Sequence, residues 1–325
     1  MRAIIPVAGI GSRLKPHTYS TPKVLLNVGG KPILGHILDN LSKVGIKKAT
    51  FVIGHLGEMV KEYVEKNHRS FKADFIEQEE MLGLGHAIYT ALPTVDDKEI
   101  FIILGDTIFD VNLKGVFKKK KSALGVKEVD DPRRFGVAVT EKGVIKKVVE
   151  KPQKPVSNLA LVGLYYFSNA ESLSKNLKKL VDQNIRTKNE YQLTDAIQLM
   201  IEDGEEFTTF PVEGWYDCGK PETLLSTNQV LLKRDGKYKK YKDVVINPPV
   251  FIARDAEVKN SVIGPDTTID AGSVIENSII RNSIVGSNAK VTNAMLDNSI
   301  VGNNSIVKGS YKRLNSGDSS EIEFY

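Results

Sequence analysis

Over the first hundred residues, short apolar runs alternate with segments whose apolar positions recur every three or four residues. Residues 2–8 (RAIIPVA) are closed by Gly9 and Gly11, the pattern of a buried strand entering a glycine loop. Ile33, Ile37, Leu38, Leu41 and Val44 fall at helical spacing and predict a helix over about 32–44. ATFVIG (49–54) predicts a second strand, MVKEYVEKN (59–67) an amphipathic helix, and FKADFIEQ (71–78) a third strand. A helix over about 85–92 follows a glycine-rich turn, and EIFIILGD (99–106) reads as a fourth strand, apolar until Asp106. Strands of this kind alternating with helices imply a Rossmann-like α/β fold, its mostly parallel sheet flanked by helices. Ligands of such sheets sit beyond the carboxyl ends of the strands, where Gly9–Arg13 and Asp106 fall.

From about 123 to 167 the pattern changes to strands and turns, an antiparallel addition that makes the sheet mixed. A helix carrying Leu173, Leu177, Leu180 and Val181 follows, then TDAIQLMIEDG (194–204), a helix capped by Thr194 and stopped by Gly204. After a helix at about 221–233, KRDGKYKKYKD (233–243) reads as a basic linker. Beyond it, aliphatic residues recur every five or six positions, at Ile252, Val258, Ile263, Ile269, Ile275, Ile280, Val285, Val291, Leu296, Val301 and Val307. N-S-[IV]-[IV]-G appears at 260, 282 and 298. This is a hexapeptide-type parallel β-helix, and eleven steps at three per coil give between three and four coils. The expected organisation is a catalytic domain over 1–232, a linker over 233–245 and a repeat tail over 246–325.

Composition narrows the function classes. Charged residues make up 26% of the 325 and hydrophobic residues 41%, as in a folded protein rather than a disordered or fibrous one. The single cysteine, Cys218, excludes an intramolecular disulfide framework and a multi-cysteine metal site. The net charge is only +5, and the lysine run at 118–121 reads as a solvated face rather than a nucleic-acid patch. No segment has the form of a signal peptide, and no apolar run approaches the ~20 residues of a membrane span. These features predict a cytoplasmic protein without membrane or nucleic-acid partners.

The candidate chemistry begins with AGIGSRLKP (8–16) and TPKVLL (21–26). A glycine loop after a strand lets backbone N–H groups approach phosphate oxygens. Leu14 occupies the third glycine position of a dinucleotide fingerprint, and no P-loop spacing occurs. Instead Arg13 closes the loop and Lys23 follows ten residues later, cations suited to a polyphosphate whose charge rises during reaction. Asp106 and Asp217, two carboxylates from distant segments, suit Mg²⁺ that also touches substrate phosphates. Taken singly, each of these residues has an ordinary reading as a turn glycine, turn aspartate or surface charge.

Together they resemble something specific. PVAGIGSRLKPHTYSTPKVLL is similar to the signature G-x-G-[ST]-R-L-x-P-x-T followed by P-K of sugar-1-phosphate nucleotidylyltransferases. Seven further motifs of that family follow in order over roughly 1–232: QEEMLGLGHA, LGD, RRFGV, VEKP, VGLYYF, TDA and WYDCG. The resemblance implies that Ala8 (Gly in many relatives), Gly9, Gly11, Ser12 and Arg13 hold the nucleotide, with Arg13 on the departing pyrophosphate. Lys23 would bridge the reacting phosphates, Gln78 and Gly83 would read the base, and Asp106 and Asp217 would hold Mg²⁺. Gly136, Glu150, Lys151, Val162 and Gly163 would take the sugar phosphate, with Lys188 or Arg186 supplying a further cation.

The reaction these parts suit is in-line attack by a sugar 1-phosphate on the α-phosphorus of a nucleoside triphosphate. It requires no protein nucleophile, because the attacking oxygen is already ionised. Cys218, His17 and His86 are assigned no catalytic role. Gln78 suits a pyrimidine, so UTP or dTTP with glucose 1-phosphate is expected. A GTP- or CTP-using transferase of the same fold and an inactive regulatory homologue are the alternatives. Left-handed β-helix tails of this family sometimes carry an acetyltransferase with a catalytic histidine, yet all five histidines lie in the first 90 residues. The expected tail is therefore structural and oligomerising, without use of acetyl-CoA.

Overall fold

The computed structural model describes residues 1–310. It divides into two units: residues 1–26 with 31–224, and residues 27–30 with those from Leu225 onward. Among the described residues, no helix is long and apolar enough to cross a membrane.

The first unit is built on β1 (Arg2–Pro6), whose Ala3, Ile4 and Ile5 are buried. After the two-residue strands β2 (Asn27–Val28, of the second unit) and β3 (Lys31–Pro32) come α1 (Ile33–Lys43), β4 (Lys48–Ile53), α2 (Gly57–Asn67), β5 (Lys72–Glu77), α3 (Leu84–Ala91) and β6 (Ile100–Ile103). β5, β4, β1 and β6 lie side by side and parallel, with Ala3 opposite Ala49 and Ile4 opposite Ile102. β1, β4 and β6, covered on both faces, are largely apolar and so legible, whereas β5 lies at the sheet edge and its residues are half-buried or exposed.

The antiparallel part follows: β7 (Thr107–Asp110), α4 (Leu113–Lys118), β8 (Ala123–Glu128), β9 (Gly136–Glu141), β10 (Val144–Glu150), β11 (Leu159–Phe167), α5 (Ala170–Asp182), α6 (Leu193–Glu202), β12 (Thr208–Pro211) and β13 (Gly214–Asp217). The nine-stranded sheet runs β5-β4-β1-β6-β11-β8-β12-β10-β9, and β9 also pairs with β11, so five strands close into a ring at one end. β7 and β13 form a separate antiparallel pair. Helices α3, α5 and α6 cover the sheet through Ile88, Leu173, Leu177, Leu180, Ile197 and Met200.

Two local expectations need correction. The fourth strand stops at Ile103 rather than Asp106, because Leu104 N–H turns to the Gly163 carbonyl (3.0 Å) and Gly105 N–H to that of Pro6 (3.3 Å). Asp106 therefore stands in the turn before β7. Thr194 does not cap α6; Gln192 holds the cap position and Thr194 lies inside the first turn. The helix does end at Gly204, whose N–H bonds the Ile201 carbonyl while Glu205 N–H bonds that of Met200.

Among the described residues, the second unit takes α7 (Pro221–Asp235) from Leu225 onward, followed by twelve short strands, β14 to β25, in three parallel sheets of four. Val245, Val262, Ile279 and Met295 stand in register on one sheet, so successive coils advance by 17, 17 and 16 residues. This is the left-handed hexapeptide β-helix expected, with Ile263, Ile269, Ile275, Ile280, Val285 and Val291 as its core. It has one strand before those predicted, Val244–Ile246, and the end of the predicted tail (311–325) lies outside the described residues.

The N-S-[IV]-[IV]-G motif has a physical explanation here. Asn260, Asn282 and Asn298 turn the corners in the left-handed backbone region, which Asn tolerates better than other side-chain-bearing residues. Asn282 and Asn298 are hydrogen-bonded to each other from coil to coil. The serine that follows bridges coils. Ser283 Oγ donates to the Arg281 carbonyl (2.6 Å) and accepts from Ser299 N–H of the next coil (3.1 Å). Residues 27–30 belong to this unit through Asn228, whose Oδ1 accepts from Gly29 N–H (2.8 Å) and Thr268 Oγ1 (2.7 Å). Asn27 Nδ2 donates to the buried Asp270 carboxylate at 2.7 Å.

Candidate active site

At the carboxyl end of β1 the chain turns through Gly9 and Gly11 into a short 3₁₀ turn, Ser12–Leu14. Gly11 sits at φ +64°, and a Cβ there would come within 2.9 Å of Thr18 Cγ2 and 3.1 Å of Lys23 Cβ. A side chain is excluded both by conformation and by space. Thr18 Oγ1 donates to the Gly11 carbonyl (2.9 Å) and fixes the loop. Gly9, Gly11, Ser12, Arg13, Lys23 and Asp106 line one cleft of about 290 Å³ with Gly219. Within it, Lys23 Nζ lies 2.6 Å from Asp106 Oδ2, with the lysine side chain 9% exposed and the aspartate 38%.

Asp217 reaches the same place along β13. It pairs with Thr107, and Cys218 N–H donates to the Asp106 carbonyl (3.1 Å), so the two aspartates come from adjacent backbones. A Cβ on Gly219 would stand 2.9 Å from Asp217 Oδ1 and 3.2 Å from Arg13 Nη2. The glycine of WYDCG thus leaves the room that this carboxylate and this guanidinium occupy. Cys218 is fully buried.

A second group of predicted residues lies after β5. Gln78 is anchored by its N–H to the Ile53 carbonyl (2.8 Å), and its side chain is buried. Gln78 Nε2 lies 3.2 Å from His86 Nδ1 and 3.4 Å from the Gly83 carbonyl. His86 drew no role from its place in the sequence, because it is bonded to Gln78 across a turn, not along a helix face. Burial holds its pKa below the ordinary value, with Glu80 raising and Arg186 lowering it by smaller amounts. Gly54 joins this loop to the first. A Cβ there would meet Met81 Cε at 2.9 Å and the Ala8 carbonyl at 3.0 Å.

The third group surrounds Glu150. Gly136 lies opposite it on β9, and a Cβ on that glycine would come within 3.0 Å of Glu150 Oε2. Lys151 Nζ is 3.2 Å from Glu150 Oε1, and Thr194 Oγ1 donates to Glu150 Oε2 at 3.0 Å. Thr194 was read as a helix cap; its hydroxyl instead serves a carboxylate 44 residues away, which no local pattern reports. Lys188 Nζ donates to the Lys151 carbonyl (3.2 Å), whereas Arg186 lies over the Tyr191 ring, 4.4 Å from its centroid. Of the two candidate cations, Lys188 is thus the one beside Lys151. Asp195 is also here, its pKa raised by burial and by the Glu150 charge against a hydrogen bond from Thr187, and its Oδ2 has no partner. Val162 and Gly163 lie on β11, and the φ of +88° at Gly163 lets Leu104 pass where a Cβ would be 2.6 Å away.

Comparison with known proteins decides what this arrangement is. The nucleotidyl transferase family model matches residues 2–234. The chain belongs to the nucleotidyl transferase family. A second model, GlmU-like C-terminal hexapeptide, matches residues 227–314. UTP–glucose-1-phosphate uridylyltransferase AglF of Haloferax volcanii is 35% identical over 231 residues, 68% of this chain and 93% of its own. A glucose-1-phosphate thymidylyltransferase of Streptomyces griseus is 30% identical over 294 residues, covering 86% of this chain and 81% of its own. The solved structure of a UDP-glucose pyrophosphorylase complexed with UDP-glucose superposes with a TM-score of 0.61 at 25% identity, over 72% of this chain and 98% of the other.

The donor set of this nucleotidyl transferase can be tested against a divalent cation. Among the described residues, no cluster of three or more His, Cys, Asp or Glu side chains could hold a metal by itself. Two carboxylates on adjacent backbones beside a glycine loop are what a hard, oxygen-seeking ion needs when substrate phosphates complete its shell. The residues fit Mg²⁺ bound together with nucleotide.

Proposed function

We propose that the chain joins UTP or dTTP to glucose 1-phosphate, releasing pyrophosphate. A phosphate oxygen of the sugar 1-phosphate forms a bond to the α-phosphorus as the bond from that phosphorus to the bridging oxygen of the β-phosphate breaks. The electron pair leaves with pyrophosphate, and no proton needs to be moved by the protein. Positioning and charge neutralisation are then the whole of catalysis.

The observation that carries this reading is the Lys23–Asp106 pair at 2.6 Å in a glycine-lined cleft. In the reaction Lys23 exchanges its aspartate partner for the reacting phosphates, and Arg13 faces the departing pair. The N–H groups around Gly9, Gly11 and Ser12 hold the triphosphate beside Ala8. Asp106 and Asp217 would hold Mg²⁺, which when bound offsets the negative charge of the phosphates. Gln78 and Gly83 contact the base. Glu150, aimed by Thr194 and Lys151, accepts from sugar hydroxyls beside Gly136, Val162 and Gly163, while Lys151 and Lys188 face the sugar phosphate. The similarity to a uridylyltransferase and a thymidylyltransferase supports a pyrimidine nucleotide and glucose 1-phosphate.

Pyrophosphate release with four nucleoside triphosphates and several sugar 1-phosphates tests the assignment, and activity with GTP alone overturns the pyrimidine. An Asp106→Asn variant as active as the wild type overturns the mechanism. For the tail we propose assembly of copies rather than acetyl transfer, because residues 233–325 contain no histidine. Acetylation of an amino sugar 1-phosphate from acetyl-CoA by the purified protein is the result that would refute it.

A further inference from the structure

We propose that His86 is a positioning residue that fixes which end of the Gln78 amide faces the base, and so sets the preference for a base bearing an N3–H over one with a bare N3. The inference rests on the reading of Gln78 as a base contact. Its geometry is set by acceptors. The Gly83 carbonyl can only accept, so the amide nitrogen of Gln78 faces it at 3.4 Å, and the same nitrogen faces His86 Nδ1 at 3.2 Å. Nδ1 must then accept as well, which requires a neutral ring carrying its proton on Nε2.

The surroundings favour that state. His86 stacks on Tyr191, with centroids 6.2 Å apart and planes 26° from parallel. Tyr191 is itself held, its hydroxyl donating to Asn184 Oδ1 (2.8 Å) and its ring lying under Arg186. The charged groups facing His86 are Glu80 and Arg186, whose effects oppose each other, and burial keeps the ring neutral near neutral pH. With Nε2 committed to His86, Gln78 Oε1 is left as an acceptor. Uracil and thymine present an N3–H to it, whereas cytosine presents a second acceptor. Protonation of His86 turns Nδ1 into a charged donor, whose bond to Oε1 outweighs the long 3.4 Å contact from Nε2 to the Gly83 carbonyl; the amide then reverses, and Nε2 becomes available to cytosine N3.

The measurement is kcat/KM for UTP, dTTP and CTP with the full-length chain and saturating glucose 1-phosphate, followed from pH 8 to above the pH at which cytosine N3 itself takes up a proton. Triphosphate titration affects UTP and CTP alike and cancels in their ratio. A correctly oriented base contact discriminates by roughly tenfold or more. The UTP:CTP ratio of the wild type should fall by about that factor below the His86 pKa. His86→Leu should show the lowered ratio at every pH, through the nucleotide KM and not that of glucose 1-phosphate. His86→Asn, whose Oδ1 can take the place of Nδ1, should keep the high ratio without the pH dependence. A wild-type ratio that stays flat while the His86 ring takes up its proton, followed by NMR over the same pH range, overturns the proposal even if His86→Leu fails to fold; so does a UTP:CTP ratio in the neutral-ring range no higher than that of Gln78→Leu. So does a wild-type ratio in His86→Leu when Gln78→Leu has lost it. If Gln78→Leu also keeps the ratio, the reading of Gln78 as the base contact is what has failed.

Discussion

The Lys23–Asp106 pair makes an asymmetric prediction. Lys23 is 9% exposed and Asp106 38%. Removing the aspartate strands a cation away from water, whereas removing the lysine leaves a carboxylate that water reaches and Thr107 Oγ1 contacts at 3.2 Å. Breaking a buried pair from one side costs about 3–5 kcal/mol, and the partial exposure of Asp106 puts Asp106→Ala near the lower end, about 3 kcal/mol. Lys23→Met keeps an apolar stem in place and should cost about 1 kcal/mol. The double variant should also cost about 1 kcal/mol and not the sum, because no stranded charge remains. Urea midpoints of the three variants measure this. Pyrophosphate release should fall by about 10²–10³-fold in each single variant and not recover in the double, since the phosphates still lack their cation. Additive destabilisation, or a Lys23→Met variant less stable than Asp106→Ala, would refute the argument.

Three further outcomes are expected. Thr194→Val removes the hydroxyl donor to Glu150, so KM for the sugar phosphate should rise roughly tenfold with nucleotide KM unchanged, in keeping with the ~1.5–3 kcal/mol of a hydrogen bond to a charged group. Gly163→Ala places a Cβ 2.6 Å from Leu104 at φ +88°, and thermal denaturation should show a loss of about 1–3 kcal/mol. Asp270, 3% exposed, has its pKa pushed up to about 6 by burial, against the hydrogen bond from Asn27. Its folded value lies above its unfolded one, so its contribution to stability is fully present below about pH 4 and lost as pH rises through about 6. Between pH 7 and 5 the wild type should gain about 1.3 kcal/mol relative to Asp270→Asn in denaturant titrations, out of about 3 kcal/mol recovered by pH 3, and a constant difference would contradict this.

Legibility followed the range of the interactions. The parallel strands and the coil repeat are written in local periodicity, and Ile4, Phe51 and Ile102 on one hand and Ile263 to Val291 on the other lie where that periodicity puts them. The strand at Val244–Ile246 was missed because Pro248 and Pro249 interrupt the spacing after it. Contacts across long separations were not legible. Thr194 looked like a cap because its hydroxyl partner is Glu150, and His86 looked idle because its partner is Gln78. The Gln78 assignment itself came from a motif, which names a residue but not what holds it in orientation. Nor does the pattern around residues 27–30 show that Asn228 and Asp270, some two hundred residues later, hold that segment.

The serine bridges and asparagine corners recur from coil to coil and link neighbouring coils, with Asn282 also accepting from Gln229 Nε2 (2.7 Å). Val285 pairs with Val301 much as Ile269 pairs with Val285, so each rung meets nearly the same partner on either side. Loss or duplication of one whole coil therefore restores the coil-to-coil bonds in a single genetic event, whereas a single-residue change must be taken up at a corner, as in the step from 17 to 16 residues per coil. Such a repeat can thus lengthen or shorten by whole coils, a route closed to the first unit, whose contacts do not repeat.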